Sequence, residues 1–278
     1  MILHKEKSPP AARKYLSLFR IRFINGMQYR LAAYAGVATQ FAWGVMLILQ
    51  YAAFYKTNSV GFPMSLAQLS TYTWLQQAFL ALFMTWFFEN EIFAAITGGN
   101  IAYELVRPVD LYTTWFTKNI AIRCSKAVLR CLPILVVAVF LPAPYGLTPP
   151  VSLFAFVMFV LTMALGLATV VAFSMLVYIS AFHTTNAGGV RIIAATLADF
   201  LSGALIPLPF FPDWLRKIIE YTPFASMQNL PLRIYCGNIA GVELWRAAAL
   251  QIVWLAALIV GGWLWMRASL RRVVVQGG

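Results

Sequence analysis

The stretch "LAAYAGVATQFAWGVMLILQYAAFY", Leu31 to Tyr55, contains no charged side chain. An α-helix needs about 20 mostly apolar residues to cross the roughly 30 Å hydrocarbon core of a bilayer. This stretch therefore predicts a first transmembrane helix. A second uncharged stretch, "AQLSTYTWLQQAFLALFMTWFF" from Ala67 to Phe88, predicts another.

The composition of the whole chain agrees with a membrane protein. Of its 278 residues 61% are hydrophobic and 11% charged, and the mean hydropathy is +0.75. Soluble proteins average about half apolar and a quarter charged residues. The net charge of +12 lies mainly beside the apolar stretches, which favours topology signals over a surface for nucleic acid, so no nucleic-acid partner is predicted.

Four further spans complete an all-α integral membrane fold with six transmembrane helices. The third span has to include Arg123, Lys126 and Arg130, which fall on one helical face and can point at protein or lipid headgroups. The fourth is longer than a perpendicular span requires, so we expect tilt or extension beyond the bilayer, with a break near Gly166 as an alternative. The six predicted spans are about 31–55, 67–88, 119–141, 151–182, 189–206 and 247–266.

The distribution of basic residues predicts the orientation. With both termini in the cytoplasm, 16 of the 21 Lys and Arg residues lie inside and 5 lie outside. The positive-inside rule favours this arrangement, which also makes the segment from Glu89 to Lys118 and the turn around His183 cytoplasmic. The N-terminal residues are too polar for a signal peptide, so we expect no cleavage.

Two polar segments flank the spans. Residues 12–29 place Leu16, Phe19, Phe23 and Met27 on one helical face, which predicts an interfacial helix; a basic flank that only orients the first span is the alternative. Before the sixth span, the proline-rich stretch "IPLPFFPDWLRKIIEYTPFASMQNLPLRIYCGN" predicts re-entrant half-helices in the outer leaflet, with Asp213 as an N-cap.

Catalytic signatures are missing from the sequence. No lysine follows a glycine, so there is no P-loop, and neither GxSxG nor HExxH occurs. The three cysteines and two histidines have no metal-ligand spacing. Asp199 is an acid deep in a predicted span, where it can contact a substrate or proton, or form a structural hydrogen bond or an arginine pair. We favour the structural role.

The segment "ENEIFAAITGGNIAYELVRPVDLY", Glu89 to Tyr112, holds four of the nine acidic residues between two spans. It predicts a short helix that is broken by glycines and ended by Pro108. Several of its apolar side chains would form an uncovered patch unless a partner bound there. The alternative is a solvated loop helix without a partner. The apolar side chains are Ile96, Ile101, Tyr103, Leu105 and Val106.

The chain resembles bacterial ABC-2 type permeases of the six-span, single-chain branch. Their motif after the second span is similar to "ITGGNIAYELVRPVD", Ile96 to Asp110. The resemblance extends to the basic N-terminal helix, to "IPLPFFPDWL" and "LPLRIY" before the last span, and to the C-terminal "RRVVVQGG". It covers nearly the whole chain, 1–278, as a single transmembrane domain.

The resemblance implies the transmembrane subunit of an ATP-driven exporter in the bacterial inner membrane. Such subunits work as dimers, with a second permease copy or paralogue and with separate cytosolic ATPases that bind ATP and Mg²⁺, so no cofactor is expected in this chain and no enzymatic activity. The motif would form a coupling helix seated in the ATPase. An ion-coupled secondary transporter and a non-transporting scaffold are the alternatives. The implied coupling residues are Ile96, Gly98, Asn100, Ile101, Tyr103, Glu104, Leu105, Arg107, Pro108 and Asp110.

Overall fold

The structure, a computed structural model, describes residues 11–28, 30–57, 61–184 and 186–271. These residues form twelve α-helices and two short 3-10 helices, and no β-strand occurs among them. Some parts of the sequence predictions lie outside the described residues. They are the basic charges counted in residues 1–10 and at Arg272, the "RRVVVQGG" end beyond Arg271, and the last residue of the predicted N-terminal helix.

The helices follow one another along the chain with short connections. Their bounds are α1 Ala11–Met27, α2 Arg30–Thr57, α3 Leu66–Ala78, α4 Leu80–Phe83, α5 Asn90–Thr97, α6 Ile101–Leu105, α7 Leu111–Phe140, α8 Leu153–Ser180, α9 Ala187–Leu201, α10 Asp213–Glu220, α11 Asn229–Tyr235 and α12 Gly241–Leu270, with 3-10 helices at Leu208–Phe210 and Phe224–Ser226.

Within the described residues, three stretches are long and apolar enough to cross a membrane: Ala33–Thr57 in α2, Leu153–Ser180 in α8 and Gly241–Leu270 in α12. They coincide with the first, fourth and sixth predicted spans. The chain is therefore an all-helical membrane protein.

The predicted break near Gly166 is wrong, because α8 is continuous from Leu153 to Ser180. The glycine serves close packing instead. A Cβ at this position would collide with the carbonyl oxygen of Met227, in the segment that precedes α11. Gly166 thus lets the backbone of that segment touch the surface of α8.

The second predicted span departs most from a regular helix. Ser65 caps α3, which ends at Ala78; α4 is a single turn that ends at Phe83. Residues 84–89 are not helical, and we call them the crossing segment. The prediction of a helix through Phe88 was wrong, since the backbone of this segment finds its partners on other helices.

Arg123 of α7 supplies the main partners. Its side chain is fully buried, and its guanidinium donates to the carbonyl oxygens of Leu82 (3.2 Å), Met84 (2.7 Å) and Phe87 (3.0 Å). Carbonyl groups at a helix end need donors when they are buried, because no water reaches them. The guanidinium fork satisfies three of them at once, which stabilises the break.

The helices α8 and α9 hold the crossing segment from two other sides. The Tyr178 hydroxyl on α8 accepts a hydrogen bond from the backbone N–H of Glu89 (2.7 Å) and donates to Asn119 Oδ1 on α7 (3.2 Å). The Thr85 hydroxyl donates to the Asp199 carboxylate on α9 and also lies 3.1 Å from the carbonyl oxygen of Ala195. Asp199 thus has a hydrogen-bond partner on another part of the chain, and its structural role stays a prediction.

Two other helices differ from the predicted bounds for local reasons. The helix α7 begins at Leu111, eight residues before the predicted span, because the Asp110 side chain caps it by accepting from Thr113 N (2.8 Å). The helix α9 ends at Leu201 rather than at residue 206. Gly203 follows with a φ of +78°, a left-handed conformation that stops the helix.

The N-terminal helix α1 packs lengthwise along the first half of α7. The Tyr15 hydroxyl accepts from Asp110 N (3.0 Å) at one end, and at the other end a Cβ on Gly26 would collide with Ser125 Oγ. Of the predicted apolar stripe, Phe19, Phe23 and Met27 are partly buried, whereas Leu16 is 69% exposed. Leu18, outside that stripe, is also partly buried.

The segment before α12 is folded against the membrane helices. Every residue of α11 is buried, and Gln251 of α12 donates to the carbonyl oxygens of Thr162 (2.9 Å) and Ser226 (2.7 Å). The predicted N-cap was wrong: Pro212 precedes α10, and Asp213 is its first helical residue and pairs with Arg216 (2.8 Å). Such irregular backbone is tolerated in apolar surroundings because protein covers it.

The buried guanidinium generates a prediction about stability. Arg123→Gln offers at most two donors on a shorter side chain, so at least one of the three carbonyls loses its donor, and each buried unsatisfied acceptor costs about 1 to 3 kcal/mol. We expect the free energy of unfolding in detergent to fall by about 1 kcal/mol or more. The matched control is Arg271→Gln at the exposed end of α12, which should unfold like the wild type. Equal denaturation midpoints for both variants would contradict the role of Arg123.

A second prediction concerns Asp199. Asp199→Asn keeps an acceptor for the Thr85 hydroxyl and should assemble normally, whereas Asp199→Leu should lower the yield of monodisperse protein. If the pair acts as one unit, Thr85→Val should add little to the loss caused by Asp199→Leu. Size-exclusion chromatography and thermal denaturation measure both effects. If Asp199→Asn assembles normally but loses all transport, the structural role is wrong and the charge of Asp199 is needed for function.

Candidate functional site

The chain between the crossing segment and α7 folds into two short helices, α5 and α6, which we call the helical hairpin (residues 90–110). The turn between them uses Gly98, whose N–H closes α5 on Ala94 O (2.9 Å), and Gly99, whose φ of +74° only glycine adopts readily. The sequence prediction of a glycine-broken helix in this segment agrees with the two helices observed.

The inner face of the hairpin is anchored in the core. Ile92, Phe93 and Ile101 are buried in a cluster with Tyr178 of α8 and Trp115 of α7, and Ile96 packs against the edge of that cluster. Because α7 and α8 both contribute to this cluster, the hairpin is attached to two long helices.

Arg191 of α9 adds a further contact to the hairpin. Its guanidinium lies 4.7 Å from the ring centroid of Phe93 and donates to Asn90 Oδ1 (3.2 Å). The hairpin is thereby joined to a third helix.

Glu104 is committed to its own chain. One carboxylate oxygen accepts from Trp115 Nε1 (2.6 Å), and the other lies 3.3 Å from Lys118 Nζ. Both partners are on the first turns of α7, and the Trp115 side chain is fully buried. Glu104 therefore fixes the position of α6 on α7 and has little capacity left for a partner.

The outer face of α6 is exposed and apolar. Tyr103 is 73% and Val106 82% exposed, and Leu105 is also exposed. Arg107 and Pro108, which follow α6, are also exposed, and so are Gly98 and Asn100 at the turn. We call Tyr103, Leu105, Val106, Arg107 and Pro108 the docking face.

The helix α1 extends this surface. A cleft of about 340 Å³ between α1 and the hairpin is lined by Lys14, Tyr15, Leu18, Arg107 and Pro108 among others. Tyr15, which lines the cleft, also accepts a hydrogen bond from Asp110 N (3.0 Å). Sequence reasoning missed Tyr15, because no local pattern links it to a residue 95 positions away.

Two ionisable groups near the hairpin have perturbed pKa values. Burial, with a smaller effect of the Asp110 carboxylate, raises the pKa of Tyr112 to about 12. Burial raises the pKa of Glu89, and the nearby Lys126 ammonium opposes that rise.

In the described ranges no three His, Cys, Asp or Glu side chains come close enough to hold a metal ion.

Asp199 is separate from the docking face. It contacts Thr85 of the crossing segment and forms no ion pair within the described part of the chain. The structure thus brings together the residues of the predicted motif and leaves Asp199 as a contact between the crossing segment and α9.

A comparison with known families matches most of the chain. Residues 41–277 match the family described as ABC-2 family transporter protein. No curated protein matches the chain. The match includes the crossing segment, the whole helical hairpin and the helices that anchor it, and it begins after α1. Together with the apolar helices, it identifies a multi-pass membrane permease of an ABC-type transport system: the chain belongs to the ABC-2 family of transporter proteins.

Proposed function

We propose that this permease is the membrane subunit of an ATP-driven exporter and that the docking face of α6 binds a separate cytosolic ATPase. The observation that carries the proposal is a small apolar surface held rigidly on buried anchors. Tyr103 and Val106 remain largely exposed although α6 is fixed by Ile101 and Glu104. Exposed apolar side chains on a rigid support are typical of binding sites.

The hairpin is built to transmit movement. A force on α6 reaches α7 through Glu104, Trp115 and Lys118, and it reaches α8 through the aromatic cluster around Tyr178. Both helices also hold the crossing segment, through Arg123 and Tyr178. Docking of an ATPase would therefore move several helices together, as coupling of ATP hydrolysis to transport requires.

The charges around the docking face suggest the chemistry of the partner. Lys14 and Arg107 line the cleft beside it, while the acidic groups Glu104 and Asp110 are engaged within the chain. We therefore expect an apolar depression with an acidic rim on the ATPase. ATP and Mg²⁺ would bind to that partner, because this chain has no P-loop.

The remaining features of the proposal follow the family pattern. The chain crosses the inner membrane of a bacterium six times, with both termini in the cytoplasm, and forms a dimer with a second copy or a paralogue. The remaining three spans would be formed by α3 together with α4, by α7, and by α9 together with the residues that follow it. The segment of α10 and α11 enters the outer leaflet as half-helices.

The docking face generates a prediction about ATPase binding. Val106→Asp should leave the protein inserted and monodisperse but lower the amount of ATPase recovered in a pull-down. Loss of an interface hot spot costs about 2 kcal/mol or more, which corresponds to a more than tenfold loss of affinity. The test uses co-expression with the P-loop ATPase expected from the adjoining gene.

The matched control for this pull-down is Val242→Asp at the start of α12, where the valine is 86% exposed. The control should recover ATPase like the wild type. Arg107→Ala should weaken recovery without affecting stability, because the arginine is exposed and forms no ion pair among the described residues. If both Val106→Asp and Arg107→Ala recover as much ATPase as the wild type, the hairpin is a solvated segment that does not bind the ATPase.

The orientation generates a further prediction, motivated by the 16 to 5 asymmetry of basic residues. In a variant without Cys124, Cys131 and Cys236, Val242→Cys should react with an impermeant thiol reagent added to intact cells. Asn100→Cys should react only after permeabilisation. Strong labelling of position 100 by reagent added to intact cells would show that the predicted orientation is wrong.

A further inference from the structure

A second cleft lies at the opposite end of α1 from the docking face. It has a volume of about 520 Å³ and is bounded by α1, the start of α2, the start of α5 and the middle of α7. Ala33 lines the cleft and is also the first residue of the apolar stretch Ala33–Thr57. The cleft is therefore at the boundary between the polar surface and the membrane-spanning part of α2. We call it the boundary cleft.

One wall of the boundary cleft is cationic. Lys126 Nζ lies 3.4 Å from the centroid of the Phe87 ring, and Arg130 packs against Gly36, where a Cβ would lie 2.6 Å from Arg130 Cζ. Neither cation forms an ion pair within the described ranges, and Arg130 Nε is buried without a hydrogen-bond partner. The Glu89 carboxylate is near the Lys126 ammonium but forms no ion pair with it, so these two cations remain able to bind an added anion.

The other wall is acidic. Glu89 and Glu91 both line the cleft, on the side of the crossing segment and α5. Glu91 is paired only loosely with Arg22, at 3.7 Å, and its side chain is largely exposed. Glu89 accepts no hydrogen bond through its side chain from the described residues, although it is partly buried. These carboxylates form a site for a cation opposite the site for an anion.

We propose that the boundary cleft binds the headgroup of a phosphatidylethanolamine-type lipid. The phosphate would lie against Lys126 and Arg130, and the primary ammonium against Glu89 and Glu91. Because the boundary cleft lies at the edge of the apolar stretch, the acyl chains of the lipid can remain beside α2. The volume of the cleft is within the range of about 300–1,000 Å³ found for small-molecule sites. The inference requires only that the protein is in a membrane and is independent of ATPase docking.

The two signs of charge discriminate among lipid headgroups. Phosphatidylglycerol offers a phosphate but no ammonium, so the two carboxylates would repel it. Phosphatidylcholine carries a quaternary ammonium that donates no hydrogen bond to them. A charged hydrogen bond of this kind is worth about tenfold in affinity.

Native mass spectrometry of the delipidated full-length protein tests this selectivity. Titration with POPE, POPG and POPC should show POPE retained about tenfold more strongly than either of the others. Equal or stronger retention of POPG or POPC would overturn the proposal. Soluble phosphoethanolamine, which has the same charges but no acyl chains, should fail to displace POPE at equal concentration; complete displacement would overturn the assignment to a lipid.

Two charge variants test the residues. Lys126→Gln with Arg130→Gln should lower POPE retention about tenfold, whereas Glu89→Gln with Glu91→Gln should abolish the preference for POPE over POPG. Arg216→Gln with Lys217→Gln on α10 removes the same charge as the first pair and should change nothing. If the Glu89→Gln, Glu91→Gln variant still prefers POPE over POPG, the proposal is wrong. This variant tests the proposal even if the Lys126→Gln, Arg130→Gln variant does not fold.

Discussion

The hydrogen bonds from the Arg123 guanidinium to the backbone of residues 82–87 are the contact on which the other features depend. A chain that stops being helical among apolar helices exposes carbonyl groups that water cannot reach. By satisfying them from α7, Arg123 allows the second apolar stretch to end early and turn into the crossing segment. That segment in turn supplies hydrogen-bond partners for Tyr178 and Asp199 and positions the helical hairpin beside α7 and α8.

The same contact explains why a charged side chain is tolerated at full burial. A guanidinium is costly to bury without partners, and none of the described carboxylates forms an ion pair with it. Carbonyl dipoles and the Phe87 ring, 5.4 Å from Arg123 Cζ, take the place of an anion. Burial of this cation therefore requires no carboxylate as a direct ion-pair partner among the described residues.

The sequence was informative wherever the determining interactions are local. The uncharged stretch from Leu31 to Tyr55 predicted α2, and the glycines and Pro108 predicted a short broken helix before α7. It was uninformative where partners are distant. Met84 and Phe87 look like ordinary helix residues until Arg123, about 40 positions later, becomes the donor to their carbonyl groups. Glu104 likewise looked available to a partner, but its carboxylate binds Trp115 and Lys118.

The lengthwise packing of α1 on α7 has a consequence for biosynthesis. Tyr15 and Asp110 are 95 residues apart, so α1 leaves the ribosome well before the surface that receives it. At a synthesis rate of about 5–20 residues per second, this interval is roughly 5 to 20 s. During that time α2 can already enter the bilayer while α1, with Leu16 and Phe19 uncovered, rests against the headgroups. The helix would then be held at the membrane first and transferred to α7 once α7 has been synthesised. Its sequence would thus serve insertion early and helix packing later.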